Sequence, residues 1–191
     1  MLKKNKVVLG ILLTVFSFIL ISCSNQKNVI DDYINNSKEA HVVSGGELQF
    51  MTDKKWRIDE EQGPFDLQLW HDSTYMGVMV YHLIDFNDDL NSGEKLLNFH
   101  IDDLKGKRND FIEVEPLSVL ENQGNSHISQ VVYSGVKKGE SEKFIYFFNM
   151  ITFDDNPDLV AFVLMTTHPS DFEKERPELD DILSSGELLK P

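Results

Sequence analysis

Residues Lys143 to Thr167 constrain the fold of this chain more than any other stretch. They read KFIYFFNMITF, then DDNPD, then LVAFVLMTT. In the first run Phe144, Tyr146, Phe148 and Met150 alternate with Ile145, Phe147, Ile151 and Phe153, and Asn149 breaks the second set. In the second run Leu159, Ala161, Val163 and Met165 alternate with Val160, Phe162 and Leu164. Aromatic and β-branched residues at this density favour a packed strand over a helix. Asp154 to Asp158 is turn chemistry, so the two runs read as an antiparallel hairpin. A strand with one wet face alternates apolar and polar residues. These strands are apolar on both sides, so both faces of the sheet they form need a cover.

The rest of the chain supplies the cover. From His41 onward, Val42-Val43, Ser44-Gly45-Gly46 and Glu47 to Phe50 predict strand, turn, strand. Trp56 is placed to plug the edge of the core, and Gly63-Pro64 marks a turn. Leu67 to Trp70 and Tyr75 to Ile84 read as strands. Ser92 caps a helix whose inner stripe is Leu97, Ile101 and Leu104, flanked by Leu96 and His100. The helix ends at Gly106 among Lys105, Lys107 and Arg108, cations that suit a helix C-terminus. Phe111 to Val114 reads as a short strand stopped by Pro116. Leu117 to Leu120 and Ile128 to Val136 continue a meander into the central hairpin, with turns at Asn122 to Asn125 and Lys137 to Glu140. A last helix opens on the Ser170-x-x-Glu173 capping box, carries Phe172, Leu179, Ile182 and Leu183 inward, and should kink or restart at Pro177. The expected architecture is an α/β (α+β) three-layer α/β/α sandwich: a central antiparallel meander sheet with one helix on each face.

Ahead of this domain the sequence carries an address. Met1 to Lys6 has three lysines and no acid, and Val7 to Ile21 is an apolar run broken only by Gly10, Thr14 and Ser17. That is the basic and apolar pair of an export signal, short of the roughly 20 apolar residues a membrane span needs. It ends at Leu20-Ile21-Ser22-Cys23, which resembles a bacterial lipobox. The small Ser22 lets a peptidase reach the bond before Cys23, and the Cys23 thiol takes a diacylglycerol. The expected organisation is a signal peptide over 1–22, a lipidated cysteine and flexible tether over 23–40, and one domain over 41–191. Cys23 is the single cysteine, so no disulfide or thiol active site remains. Two acyl chains at about 0.8 kcal/mol per buried CH₂ anchor a protein stably. Val29, Ile30, Tyr33 and Ile34 in the tether allow one or two helical turns at most.

Charge narrows the partners. The chain carries 32 acidic and 18 basic residues, net −14, and loss of Lys3, Lys4 and Lys6 with the leader takes it to −17. Such a chain repels phosphate backbones, so nucleic acid is excluded, as is a peripheral basic membrane face. The membrane contact is expected through lipid on Cys23 alone.

Taken together, Trp56-Arg57-Ile58, the hairpin Phe144 to Thr167 and the ending Phe172…Ile182-Leu183-Ser184-Ser185 resemble the PsbP-like fold, in particular its bacterial envelope branch of DcrB-type lipoproteins. The likeness spans roughly residues 45 to 185 and lies in element order and hydrophobic pattern. It implies a non-enzymatic accessory or binding role beside larger membrane assemblies, and carries no functional residues over.

No catalytic residue is assigned, and no cofactor or metal is expected. Asp85-x-Asn87-x-Asp89 opens like a calcium loop, but Leu90 stands where glycine belongs and Leu96 where a bidentate acid belongs. The six histidines, His41, His71, His82, His100, His127 and His168, have no zinc spacing, and His100 is expected to shield the edge of its helix. Acid pairs such as Asp88-Asp89, Asp102-Asp103, Asp154-Asp155 and Asp180-Asp181 read as solvated charge. There is no G-x-S-x-G, G-x-G-x-x-G or Walker loop. Three functions follow. The first is a lipid-anchored envelope accessory protein binding another envelope protein, with a basic partner favoured by the charge. The second is a lipoprotein holding a small ligand or lipid between helix layer and sheet, and the third an envelope hydrolase. In a Gram-negative cell Ser24, not being aspartate, directs the lipoprotein to the outer membrane.

Overall fold

The period-two alternation of Lys143 to Thr167 is realised as the middle of a seven-stranded sheet. The computed structural model describes residues 37–43, 45–60, 63–120 and 125–189. The signal peptide, Ser22, Cys23 and nearly all of the expected tether lie outside the described residues. One compact unit runs from Glu39 to Pro191. Its elements in order are β1 (Lys38–Val42), β2 (Leu48–Asp53), β3 (Arg57–Ile58), β4 (Leu67–His71), β5 (Thr74–His82), α1 (Gly93–Gly106), β6 (Arg108–Leu120), β7 (Ser126–Lys137), β8 (Lys143–Phe153), β9 (Asn156–Thr167), α2 (Phe172–Ser184) and β10 (Glu187–Leu188). The large sheet has the order β3-β4-β5-β9-β8-β7-β6 and is antiparallel throughout. Two meanders, β3 to β5 and β6 to β9, meet at the β5–β9 pair. The chain passes from one to the other through α1.

The two faces of β8 and β9 are divided as the alternation predicts. Ile145, Phe147, Ile151 and Phe153 join Leu159, Ala161, Val163 and Met165 in one cluster with Leu179, Ile182 and Leu183 of α2. Tyr146, Phe148 and Met150 join Val160 and Phe162 in another with Leu96 and Leu97 of α1. One helix therefore covers each face. The α2 layer also contains a small sheet, β1-β2-β10, whose Leu48 and Phe50 complete the first cluster. Trp56 is buried there, and its Nε1–H donates to Glu178 Oε1 on α2 at 2.7 Å.

Several boundaries differ from expectation. β1 begins at Lys38, inside the stretch expected as tether. The hairpin turn is Asp154-Asp155 alone, and β9 starts at Asn156 and continues through Pro157. β6 is one strand through Pro116 rather than two. Proline is tolerated on an edge strand or at a bulge, where its missing N–H is not needed, and β6 offers both. Its register against β7 shifts between Asn109 and Ile112, between Glu113 and Glu115, and between Glu115 and Ser118. Ser92 caps α1, accepting from Lys95 N–H at 3.3 Å. The capping box at α2 does not form. Asp171 occupies the cap position without a side-chain capping hydrogen bond, its carboxylate accepting from Ser73 Oγ at 3.2 Å, and Ser170 Oγ is 2.7 Å from His168 Nδ1. α2 runs unbroken through Pro177.

Candidate interaction surface

The strand order leaves β6 at one margin of the large sheet, with no strand on its outer side among the described residues. No residue of β6 is fully buried. Four of its aliphatic side chains stand in solvent: Ile112 at 57%, Val114 at 44%, Leu117 at 58% and Val119 at 69% of full exposure. An unpaired edge of 13 residues is a template for another strand, and proteins guard such edges with charge, proline and bulges. β6 has all three, in Glu113 and Glu115, Pro116 and the register shifts.

What holds this margin is polar and aromatic. On the α1 side the Phe111 ring stacks on Tyr133, centroids 4.6 Å apart and 7° from parallel. The Tyr133 hydroxyl donates to Glu113 Oε2 at 3.3 Å. Its pKa is pushed up by partial burial, then by the negative charge and hydrogen bond of Glu113, and by the charge of Asp102 on α1. Arg108 Nε–H donates to the Tyr146 hydroxyl at 2.7 Å, with its guanidinium 5.2 Å from that ring's centre.

On the α2 side a chain of hydrogen bonds runs from the centre of the sheet to its margin. Asn149 has no solvent exposure. Its Nδ2 donates to the Val163 carbonyl at 3.1 Å, and its Oδ1 accepts from Gln130 Nε2 at 2.8 Å. Gln130 Oε1 accepts from Arg176 Nη2 at 3.3 Å, and Arg176 Nη1 pairs with Glu115. The guanidinium also lies 3.6 Å from Asp180 Oδ2 and 5.6 Å from the Phe172 ring centre. Its pKa is raised, chiefly by the Glu115 hydrogen bond. Buried amides are satisfied here by one another and by a charge that stays partly in solvent. The sequence signals this chain in one place only, the lone Asn149 in an apolar run.

The opposite margin carries Trp70, 41% exposed, with the Arg57 guanidinium 6.0 Å from its ring centre. Beside it a cavity of about 380 Å³ is lined by Ile58, Phe65 and Leu67 with Asp59, Glu60 and Gln68. The Phe65 ring lies where a Cβ on Gly77 would stand, 2.7 Å away, so β5 needs glycine there. The gaps between each helix and the sheet, where the ligand-binding alternative would place its ligand, are filled by the two apolar clusters.

The remaining candidates fall in structural places. His100 is half-buried beside the inner stripe of α1. Its ring points from α1 to the sheet, stacked on Phe162 at 3.8 Å, with Nε2 2.9 Å from the Tyr81 hydroxyl. Burial pushes its pKa down to about 4 against a small upward pull from Asp103, and burial with the charge of Asp66 pushes Tyr81 up to about 12. His41 bonds Thr52 Oγ1 at 2.8 Å and burial lowers its pKa. His71 packs against Trp56, His82 is 3.1 Å from Glu47, and His127 is 3.0 Å from Asp154. In the Asp85–Asp89 loop, Asn87 Oδ1 accepts from Asp89 N–H at 3.2 Å and Lys95 Nζ binds the Asp88 carbonyl. Among the described residues no three His, Cys, Asp or Glu side chains are grouped to hold a metal ion, and no helix is long and apolar enough to cross a membrane.

No family profile matches the chain, and no curated protein does. Solved structures do. LpqN of Mycobacterium tuberculosis, described as involved in cell envelope biogenesis, is 14% identical with a TM-score of 0.55, covering 84% of this chain and 97% of its own. The Ran-binding protein Mog1p of Saccharomyces cerevisiae is 10% identical with a TM-score of 0.53, covering 80% and 95%. Cyanobacterial PsbP, CyanoP, from Synechocystis is 12% identical with a TM-score of 0.51, covering 80% and 93%. At these identities the likeness is one of fold. It establishes the PsbP-like α/β arrangement expected from the element order.

Proposed function

We propose that this chain is a lipid-anchored accessory protein of a bacterial cell envelope, held to the membrane through Cys23, which binds another envelope protein and catalyses no reaction. The observation that carries the reading is the β6 margin: a long open sheet edge with four exposed aliphatic side chains, in a fold whose interior is filled. Exposed apolar side chains gathered on one strand mark a binding surface more often than a reacting one. The lipobox at Cys23 supplies the location, and in a Gram-negative cell Ser24 favours the outer membrane. The described role of LpqN in envelope biogenesis and the Ran binding of Mog1p both fit a fold used for association rather than for chemistry.

The test begins with the anchor. Cys23→Ala should abolish labelling by a fatty-acid analogue and release the protein from the membrane fraction or leave it uncleaved. Wild-type protein recovered from detergent-solubilised membranes should bring down a protein in stoichiometric amount. Lipid labelling that survives Cys23→Ala removes the anchor from the account, and the absence of any protein partner removes the accessory role.

The cavity beside Phe65 favours a second reading, a lipoprotein that carries a small ligand. Co-purification of a small molecule in place of a protein decides for it.

A further inference from the structure

We propose that β6 is completed by an extended segment of the partner protein lying along its outer side as an added strand, with a lysine or arginine set against Asp102 and Glu113 and aliphatic side chains set against Leu117 and Val119. This rests on the accessory-protein reading and gives it a surface and a partner chemistry.

The main chain supplies the first half of the argument. β6 is terminal in its sheet, so among the described residues no strand occupies its outer side. An added strand gains affinity from main-chain hydrogen bonds and specificity from alternate side chains. The register fixes which face those side chains meet. Glu113 is opposite Tyr133 and Val119 is opposite Ser129, and their neighbours across β8 are Tyr146 and Met150, both on the α1 face. Leu117 lies two residues before Val119. One face of the margin thus presents the acidic Glu113 followed by the aliphatic Val119, with Leu117 between them at a register shift.

Charge supplies the second half. Glu113 Oε2 accepts from the Tyr133 hydroxyl at 3.3 Å, and Asp102 on α1 is near enough for its charge to act on the same phenol. Among the described residues neither is paired with a cation, whereas Asp103 next to Asp102 is held by Lys107 at 2.7 Å. A basic side chain arriving on the added strand would find two carboxylates and the face of the Phe111–Tyr133 stack. A second copy of this chain fits poorly. It would bring Asp110, Glu113 and Asp102 against like charges, on molecules that each carry −14 or more. Pro116 and the register shifts break the edge into short regular pieces, which limits pairing to a short segment of the right composition.

The probes are two short capped peptides, one alternating lysine with valine and the other glutamate with valine, titrated into the full chain in detergent. The lysine peptide is expected to bind and to slow amide exchange across 109–119 while leaving 57–71 unchanged. The glutamate peptide should bind at least about tenfold more weakly, and the double variant Asp102→Asn/Glu113→Gln should weaken the lysine peptide by about tenfold or more, the size of one lost charge-assisted contact. Equal affinity for the two peptides, protection at 57–71 instead, or indifference to the double variant overturns the proposal. So does a dimer of the free protein sealed at β6. The membrane partner separates this proposal from the reading beneath it. A partner retained by Leu117→Asp/Val119→Asp overturns edge docking and leaves the accessory role standing. No partner for the wild type overturns the accessory role, and the peptides still decide the edge.

Discussion

Strands β8 and β6 belong to one sheet, only β7 lies between them, and their side chains live in opposite conditions. From Ile145 to Ile151 every residue of β8 is buried, because α1 covers one face and α2 with the small sheet covers the other. β6 has no fully buried residue over its whole length. The register follows the burial. β7 and β8 pair without a slip from Ser126 to Val136, whereas β6 slips against β7 in three places. A one-residue slip turns side chains to the other face, and where both faces are packed that is forbidden. At the margin no strand among the described residues opposes it, so β6 can bulge, carry a proline and offer its outer side.

The comparison breaks most visibly if the two strands respond alike to truncation. Phe148 and Phe162 are both nearly fully buried, their ring centres 6.2 Å apart on β8 and β9. Cutting either to alanine is expected to lower stability by about 3–5 kcal/mol, the usual range for large core aromatics. A domain's whole stability is about 5–15 kcal/mol, so these variants melt many degrees lower or fail to fold. Urea unfolding of Phe148→Ala beside Val119→Ala makes the measurement. Similar midpoints for the two would mean that the faces of β8 are not covered as described.

The next effect concerns the polar chain that joins the two regions. Asn149→Ala leaves Gln130 Nε2 without its partner in the core, at a cost of about 1–3 kcal/mol. Arg176→Met acts from the other end. It frees Glu115 and Gln130 Oε1, but Arg176 and Glu115 are partly in solvent, so the loss should be nearer the low end of that range. Because the two substitutions strike one chain, their combined effect should fall short of the sum. A double-mutant cycle in urea reads the shortfall, and strict additivity would show that the chain does not act as a unit.

How far all this was legible in the sequence follows the same division. The faces of β8 and β9 could be read residue by residue, since period two is a local property. The helix on each face followed from apolar runs that had to be covered. Pro116 misled, because proline ends a strand only where a neighbour needs its N–H, and that is decided by the sheet and not by the chain. Strand order was hidden for a related reason: the β5–β9 pair joins segments some 80 residues apart, and no local pattern reports it. The chain from Asn149 to Glu115 draws on β8, β7, α2 and β6, so only its innermost member left a mark. His100 was placed on the right helix, but its stacking partner Phe162 belongs to a strand 60 residues on.

His100 gives a smaller effect and one that depends on pH. Its folded pKa, about 4, lies below the ordinary value of 6.5, so between these values the unfolded chain binds the proton and the folded one does not. Stability contributed by the neutral ring is therefore complete above pH 6.5 and is lost as pH falls toward 4. At about 1.4 kcal/mol per pKa unit, discounted for partial solvent access, the loss between pH 7 and pH 4.5 is on the order of 1–2 kcal/mol. Unfolding across that range should slope downward in the wild type, less steeply in His100→Leu. Equal slopes would place the ring in solvent rather than against the sheet.

The smallest effect on stability is expected where the effect on binding is largest. Leu117→Ser and Val119→Ser remove side chains that already stand in solvent, and surface changes of this kind usually stay within about 0.5 kcal/mol. A margin that serves only to close the sheet would show nothing further. A margin that takes a partner would hold it less long in both variants, with unchanged melting and a faster off-rate. Salt separates the two contributions to that encounter. The net charge of −14, or −17 without the leader lysines, should speed the approach of a basic partner at low ionic strength. At physiological salt exposed charges reach only about 8 Å, and at 1 M about 3 Å. The on-rate should therefore fall steeply across a salt series for wild type and serine variants alike, while the off-rate difference between them persists. An on-rate flat in salt would remove steering from the account. Variants that melt normally and hold the partner as long as the wild type does would return β6 to a purely structural role.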